Sequence, residues 1–266
     1  MIDHVIIVPC HSIWHPLDES SHGADAGEWA LALFQVEGHD HLCFVDHICQ
    51  ALAIAHKDTQ LIVIMSGGQT KRECGRVSEA ELYYKLARRL ISQERVPIKG
   101  DEGEVLTDDI LGRVLVEEYA RDLFENVLFS ICRFYEMMGR YPSRITVVGF
   151  EFKRYRFEKL HLQQALAWDM SKVRYFGNLP SPDADVEEYF TVLQAQEAKN
   201  AVVPFEKDWY GALSPLADKK KQRNPFGQVV PYPKLNPQLT EAFLRMERGE
   251  RERVRDVLPW CHGRPK

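Results

Sequence analysis

The chain has 266 residues, 45% hydrophobic and 27% charged, with a net charge of −5. That suits one large soluble domain or a domain with an extension. The acidic balance argues against a general nucleic-acid binder, which would present a basic face. No apolar run approaches the roughly 20 residues that span a bilayer. The N-terminal stretch lacks the basic and apolar regions of a signal peptide. A cytoplasmic protein with no membrane partner is expected. Six scattered cysteines with no C-x-x-C pair point to reduced thiols rather than a zinc ribbon or a redox motif.

Val5 to Val8 form the first expected strand, stopped by Pro9, with Cys10 and His11 at its carboxyl end. Residues 16–28 read as a polar loop, and 29–35 as a short apolar segment of open type. Asp40 to His56 carries apolar residues at helical spacing, as a crossover helix would. Gln60 to Met65 is a buried-type strand that stops at Ser66-Gly67-Gly68. Ser78, with Glu81 three residues on, is a capping box opening a helix to about Ile91.

Val96 to Ile98 is expected as a short third strand, and Asp101 to Asp109 as an acidic loop. A long helix is expected from Ile110 to Met138, broken near its middle. Arg144 to Val148 is the next buried strand, and Phe152 to Trp168 is helical. Lys172 to Phe176 is the last strand, followed by a helix from Asp185 to Asn200. From residue 201 the chain turns irregular and rich in proline and aromatics, with helix again from Pro237 to Arg248.

This alternation predicts an α/β fold: a three-layer α/β/α sandwich with a mainly parallel, Rossmann-like sheet. Residues 1–200 form the domain, and 201–266 an extension packed on it. Both the G-x-G-x-x-G fingerprint and the phosphate-loop motif are absent, which disfavours a standard NAD dehydrogenase or P-loop NTPase.

Ligands of such sheets bind beyond the carboxyl ends of the strands. Ser66, Gly67, Gly68, Gln69 and Thr70 stand there, with amides and a hydroxyl suited to an anion or a ribose. The same glycines also suit a tight turn. Cys10 beside His11 offers a thiol and an imidazole for nucleophilic chemistry, or simply a buried thiol and a hydrogen-bonded ring. No metal-ligand spacing appears, so no metal is expected. Ser78 caps its helix, and Glu79 beside it is a candidate base or ribose ligand. Asp122, Glu125 and Asn126 form a polar cluster in an apolar helix. Lys153 and Arg154 sit at a helix start, against the dipole preference, where an anionic ligand would suit them. Trp209, Tyr210 and the run Lys219 to Arg223 are candidate protein-contact residues, with no partner named.

The ordered set Ser66-Gly67-Gly68, Ser78-Glu79-Ala80, Val96-Pro97, Asp122-x-x-Glu125-Asn126 and Phe152-Lys153-Arg154 resembles the domain-of-unknown-function 218 family, the SanA/YdcF-like proteins. The resemblance covers about residues 3–178. Cys10-His11, Gly67 to Thr70 and the late Arg223-Asn224-Pro225-Phe226 are similar to a eukaryotic, fungal-type branch. The resemblance implies a Rossmann-like sandwich whose strand-end pocket takes a nucleotide-like or phosphorylated small molecule, or S-adenosylmethionine. It implies that Ser66, Gly67, Gly68, Glu79, Glu125, Asn126, Lys153 and Arg154 line that pocket. The expected function is a hydrolase or group-transfer enzyme, with Glu125, Glu79, His11 and Cys10 as catalytic candidates. The alternative is a non-catalytic ligand sensor on the same fold.

Overall fold

Five short segments rich in β-branched or aromatic residues form one all-parallel sheet in the computed structural model, which describes residues 2–98, 105–183 and 185–261. The strands are β1 (His4–Pro9), β2 (Leu61–Ser66), β3 (Val114–Glu117), β4 (Arg144–Phe150) and β5 (Val173–Asn178). Their order is β3-β2-β1-β4-β5, so β1 is central. The connection direction reverses between β1 and β4. That is the switch point at which α/β sheets open a crevice.

Side-chain alternation along β1 splits the core in two. Val5 and Ile7 face one apolar cluster, with Ile62, Ile64, Ile145 and Val147. Ile6 and Val8 face the other, with Val63, Met65 and Val148. Helices cover both faces, so strands buried on both sides read as continuous apolar runs.

A short helix, α1 (Leu33–Glu37), precedes α2 (Asp40–Lys57), and α3 (Glu79–Ser92) follows β2. Phe44, Ile48 and Leu52 of α2 and Tyr83, Leu86 and Leu90 of α3 fill the second cluster. On the opposite face lie α4 (Leu123–Met138) and a wide π-helical segment, Arg156–Ala165. After β5 come α5 (Val186–Glu197), a π-helical turn (Ala198–Val202) and α6 (Val203–Lys207). The C-terminal stretch adds α7 (Leu216–Gln222), α8 (Tyr232–Leu235), α9 (Thr240–Glu247) and α10 (Arg251–Arg255). Its Phe205, Tyr210, Leu216, Tyr232, Leu239 and Leu258 belong to the same apolar cluster as β1 and α4.

Three expectations are corrected. Val96 to Ile98 is not a strand. The third strand is Val114–Glu117, inside the stretch expected as one long helix, and α4 starts only at Leu123. Part of the expected acidic loop, residues 101–104, lies outside the described residues, and Asp108–Arg113 is a 3-10 turn. Arg113 anchors β3 by donating to the carbonyls of Ala55 and Asp58 at the end of α2. No helix among the described residues is long and apolar enough to cross a membrane.

Candidate functional site

A cavity of about 940 Å³ opens over the carboxyl ends of the strands. That is the upper end of the range for small-molecule sites. Each strand end delivers a piece of it: Cys10 and His11 after β1, Thr70, Lys71 and Glu79 after β2, Ala120 to Leu123 after β3, and Phe152, Lys153 and Arg156 after β4. Phe34 and Gln35 of α1, the inner face of α5, and Leu216, Lys219 and Arg223 of the C-terminal stretch complete the wall.

The Ser66-Gly67-Gly68 turn lies beneath this wall. The Gly67 amide donates to the Glu117 carbonyl at 2.9 Å, and the Gly68 amide to the Ala120 carbonyl at 2.8 Å. The Gly67 and Gly68 carbonyls in turn accept from the Ala80 and Glu79 amides of α3. Two of the amides expected to be free, those of Gly67 and Gly68, are therefore already taken up by backbone. The glycines serve close packing instead. A Cβ on Gly67 would come within 2.8 Å of Cys10 Cβ, and one on Gly68 within 2.8 Å of the Ala120 carbonyl oxygen. Ser66 Oγ donates to Glu117 Oε2 at 2.6 Å, while Asn126 Nδ2 donates to both the Ser66 carbonyl and its Oγ. Tyr232 from the C-terminal stretch donates to the other Glu117 oxygen. Burial pushes the Glu117 carboxyl up to about 7. Ser66 and Asn126 thus tie β2, β3 and α4 together under the pocket floor, and Asn126 also reaches the cavity. Gln69 donates to the Arg76 carbonyl.

Glu79 and Thr70 do line the cavity. Thr70 Oγ1 donates to Glu79 Oε1 at 2.5 Å, and burial pushes the Glu79 carboxyl up to about 7. A buried carboxyl that titrates near neutrality can take and return a proton. Ser78 is the cap alone: its Oγ accepts from the Glu81 amide and donates to Glu118. Asp40, at the start of α2, also faces the cavity, and burial pushes it up to about 6.

Cys10 and Asp122 line the cavity, but these two and the expected Glu125 and Arg154 are held in ways that disfavour the roles expected of them. Burial drives the Cys10 thiol well above its ordinary range, which disfavours the thiolate that a nucleophile needs. Burial works to raise the Glu125 carboxyl, but Lys220 and Arg121 outweigh it and hold it low. Arg121 grips Glu125 with two bonds of 2.8 and 2.6 Å, and Lys220 Nζ lies 3.3 Å away. Glu125 is therefore neutralised and not a free base. Asp122 caps α4 by accepting from the Glu125 amide, and its other oxygen lies 3.4 Å from Lys220. Arg154 turns away from the cavity onto Glu151 and Glu158, stacked over Tyr175. Arg156, two residues on, reaches the cavity instead and pairs with Glu197 at 2.8 Å.

His11 stays in the wall. Its ring packs against Phe150 and Phe44, burial drives it well below its usual value, and Nε2 is buried with no hydrogen-bond partner. It is a neutral ring presenting one nitrogen. Lys153 leans over the Phe150 and Phe152 rings, and burial lowers it to about 8.

Sequence reasoning missed Lys71, Arg156, Lys219, Arg223 and Asp40 as wall residues. The run Lys219 to Arg223 was visible, but only the fold shows that two of its members face inward. Among the described residues no cluster suits a metal ion.

No family model matches the chain, and no solved structure matches it. The chain is 35% identical over 298 aligned residues to the uncharacterized protein YOR238W of Saccharomyces cerevisiae, the match covering 98% of each. The chain therefore belongs to the same family as that yeast protein.

Proposed function

We propose that the protein binds an anionic, nucleotide-like small molecule in the strand-end cavity and acts on it as a hydrolase or group-transfer enzyme. One observation carries this reading. Four cations of the wall lack a carboxylate ion-pair partner among the described residues. Lys71 leans on the Ala30 carbonyl, Lys219 on the Asn200 carbonyl, Arg223 on the Arg121 carbonyl, and Lys153 on two aromatic rings. Cations held at a cavity wall by such neutral partners are ready to receive an anion. Carboxylates line the cavity too, but the four cations without an ion-pair partner favour a nucleotide-like anion over the sulfonium of S-adenosylmethionine. The motif order resembling the domain-of-unknown-function 218 family supports the same choice.

Glu79 is the proton-transfer group of this reading, oriented by Thr70, with neutral His11 as a hydrogen-bond partner to the ligand. The free state of all six cysteines supports a reducing, cytoplasmic setting. A non-catalytic sensor has one observation in its favour: burial disfavours the Cys10 thiolate and Glu125 is neutralised, so two of the four expected catalytic candidates are not activated. Mass spectrometry of small molecules that co-purify with the protein, followed by turnover assays on what is found, tests the reading. Recovery of an anionic ligand that Glu79→Gln still binds but no longer converts supports the enzyme. Binding with no turnover by the native chain selects the sensor. No co-purifying anion and no thermal shift with nucleotides reject both.

A further inference from the structure

The basic run after Leu216 is built into the cavity more firmly than a surface run needs to be. Lys219 and Arg223 are four residues apart and share one face of α7 and its C-terminal end. Both line the cavity, whereas Lys220 between them turns down onto Asp122 and Glu125.

The Arg223-Asn224-Pro225-Phe226 motif holds that face in place. Asn224 closes a turn by donating to the Gln228 carbonyl at 2.9 Å and accepting from its amide at 2.7 Å. The Pro225 carbonyl accepts from Arg72, and the Phe226 ring sits under the Arg76 guanidinium at 5.2 Å. Arg72 and Arg76 belong to the loop after β2. The turn is thus docked on the opposite rim, and α7 bridges from α4 to that loop.

The Lys153 and Arg156 side chains come from the segment after β4. Burial holds Lys153 below its ordinary value; Glu197 and Asp40 oppose the shift, and Arg156 and Arg223 add to it. Burial, Arg223 and Arg156 do the same to Lys219. Four cations from two sides of the cavity therefore share one region of its wall; Glu197 is ion-paired with Arg156, while Asp40, Glu79 and Asp122 lie near enough to act on the others without pairing them. A singly charged carboxylate ligand could engage only one side of this cationic set. A group with several negative charges could engage both sides at once.

We infer that the ligand carries a diphosphate-type group bridging Lys153 and Arg156 on one side to Lys219 and Arg223 on the other, and that the Asn224-Pro225-Phe226 turn positions Arg223 for it. This rests on the anion-binding reading above and adds the charge class of the ligand and a role for the C-terminal motif.

Isothermal titration of the full chain with inorganic pyrophosphate, inorganic phosphate and ADP tests it. Pyrophosphate should bind at least about tenfold more tightly than phosphate, and Arg223→Gln and Lys219→Gln should each weaken pyrophosphate about tenfold, the scale of one lost charge-assisted bond. Phe226→Ala should weaken it in the same direction by a smaller factor. ADP binding more tightly than pyrophosphate, or equally, supports the class and tells a nucleotide from free diphosphate. Arg223 is exposed, so its variant should melt like the native protein. Native-like pyrophosphate affinity in both Arg223→Gln and Lys219→Gln, with binding abolished by Lys153→Gln, would overturn the proposal and leave the anion reading intact. Phosphate binding as tightly as pyrophosphate would overturn the charge class. Failure of the native chain to bind any of the three would remove this inference together with the reading on which it rests.

Discussion

Glu79 shows how one residue can be favourable for chemistry and costly for folding. Its carboxyl titrates near 7 in the folded chain against an ordinary value of 4.5. Between those values the folded state holds a proton that the unfolded chain has released. Stability therefore falls as pH rises from about 4.5 through about 7 and then levels off. Glu79→Gln keeps the acceptor for Thr70 and removes the buried charge. Urea titrations should find this variant more stable than the native chain by about 1–3 kcal/mol at pH 8 and nearly equal to it near pH 5. A native advantage at pH 8 would mean that Glu79 is paired rather than stranded. Lys220 is the opposite case. It lies within 3.4 Å of Asp122 and 3.3 Å of Glu125 and donates to the Tyr210 carbonyl. Lys220→Met leaves two buried carboxylates sharing Arg121, and should cost about 3 kcal/mol in denaturant unfolding. The residue types at both positions could be read from the chain, but their opposite states depend on which charges the fold brings within a few ångströms.

At the scale of elements, the turn after β2 is a packing joint. The Gly68 position leaves no room for a side chain because the Ala120 carbonyl faces it at 2.8 Å. Gly68→Ala should cost about 1–3 kcal/mol and lower the melting temperature, since backbone must move to accept the methyl group. An unchanged melt would show that the loop relaxes freely. The α4 boundary teaches a related lesson. Val114, Leu115 and Val116 are strand formers, and Asp122 with Glu125 three residues on is a helix-start signal. The apolar spacing between them also fits a helix, and no glycine or proline interrupts it. The strand forms because β2 has an open edge, onto which Val114 to Glu117 pair in register with Val63 to Ser66. That long-range pairing overrides local propensity.

Across the whole molecule, the C-terminal stretch is inseparable from the sheet domain. Its apolar residues fill the cluster against β1 and α4, Tyr232 reaches the buried Glu117, and α7 supplies Lys219 and Arg223 to the cavity wall. Burial of a large side chain contributes about 1.5–3 kcal/mol. Removing several such side chains exceeds the whole net stability of an ordinary domain. A chain ending at residue 200 should fail to fold, with circular dichroism lacking a cooperative melt and rapid proteolysis. A cooperative melt in that fragment would show that the stretch is accessory. Tyr210 is buried, and Trp209 packs under Arg251 and Arg255. The expected protein-contact surface at these residues is thus largely internal packing.

The layered α/β architecture, four of its five strands, the Ser78 cap and the strand-end location of the pocket follow from local patterns: apolar runs, capping residues and glycine stops act over a few neighbouring residues. Distant segments decided the rest. Gly67 and Gly68 became a joint because Glu117 and Ala120 claim their amides. Glu125 lost its candidacy because Lys220, almost a hundred positions later, neutralises it. Arg156 replaced Arg154 because the turn after β4 aims one inward and the other at Glu151 and Glu158. Charge state, burial and facing direction are set by contacts between residues far apart in sequence, and those exist only once the chain has folded.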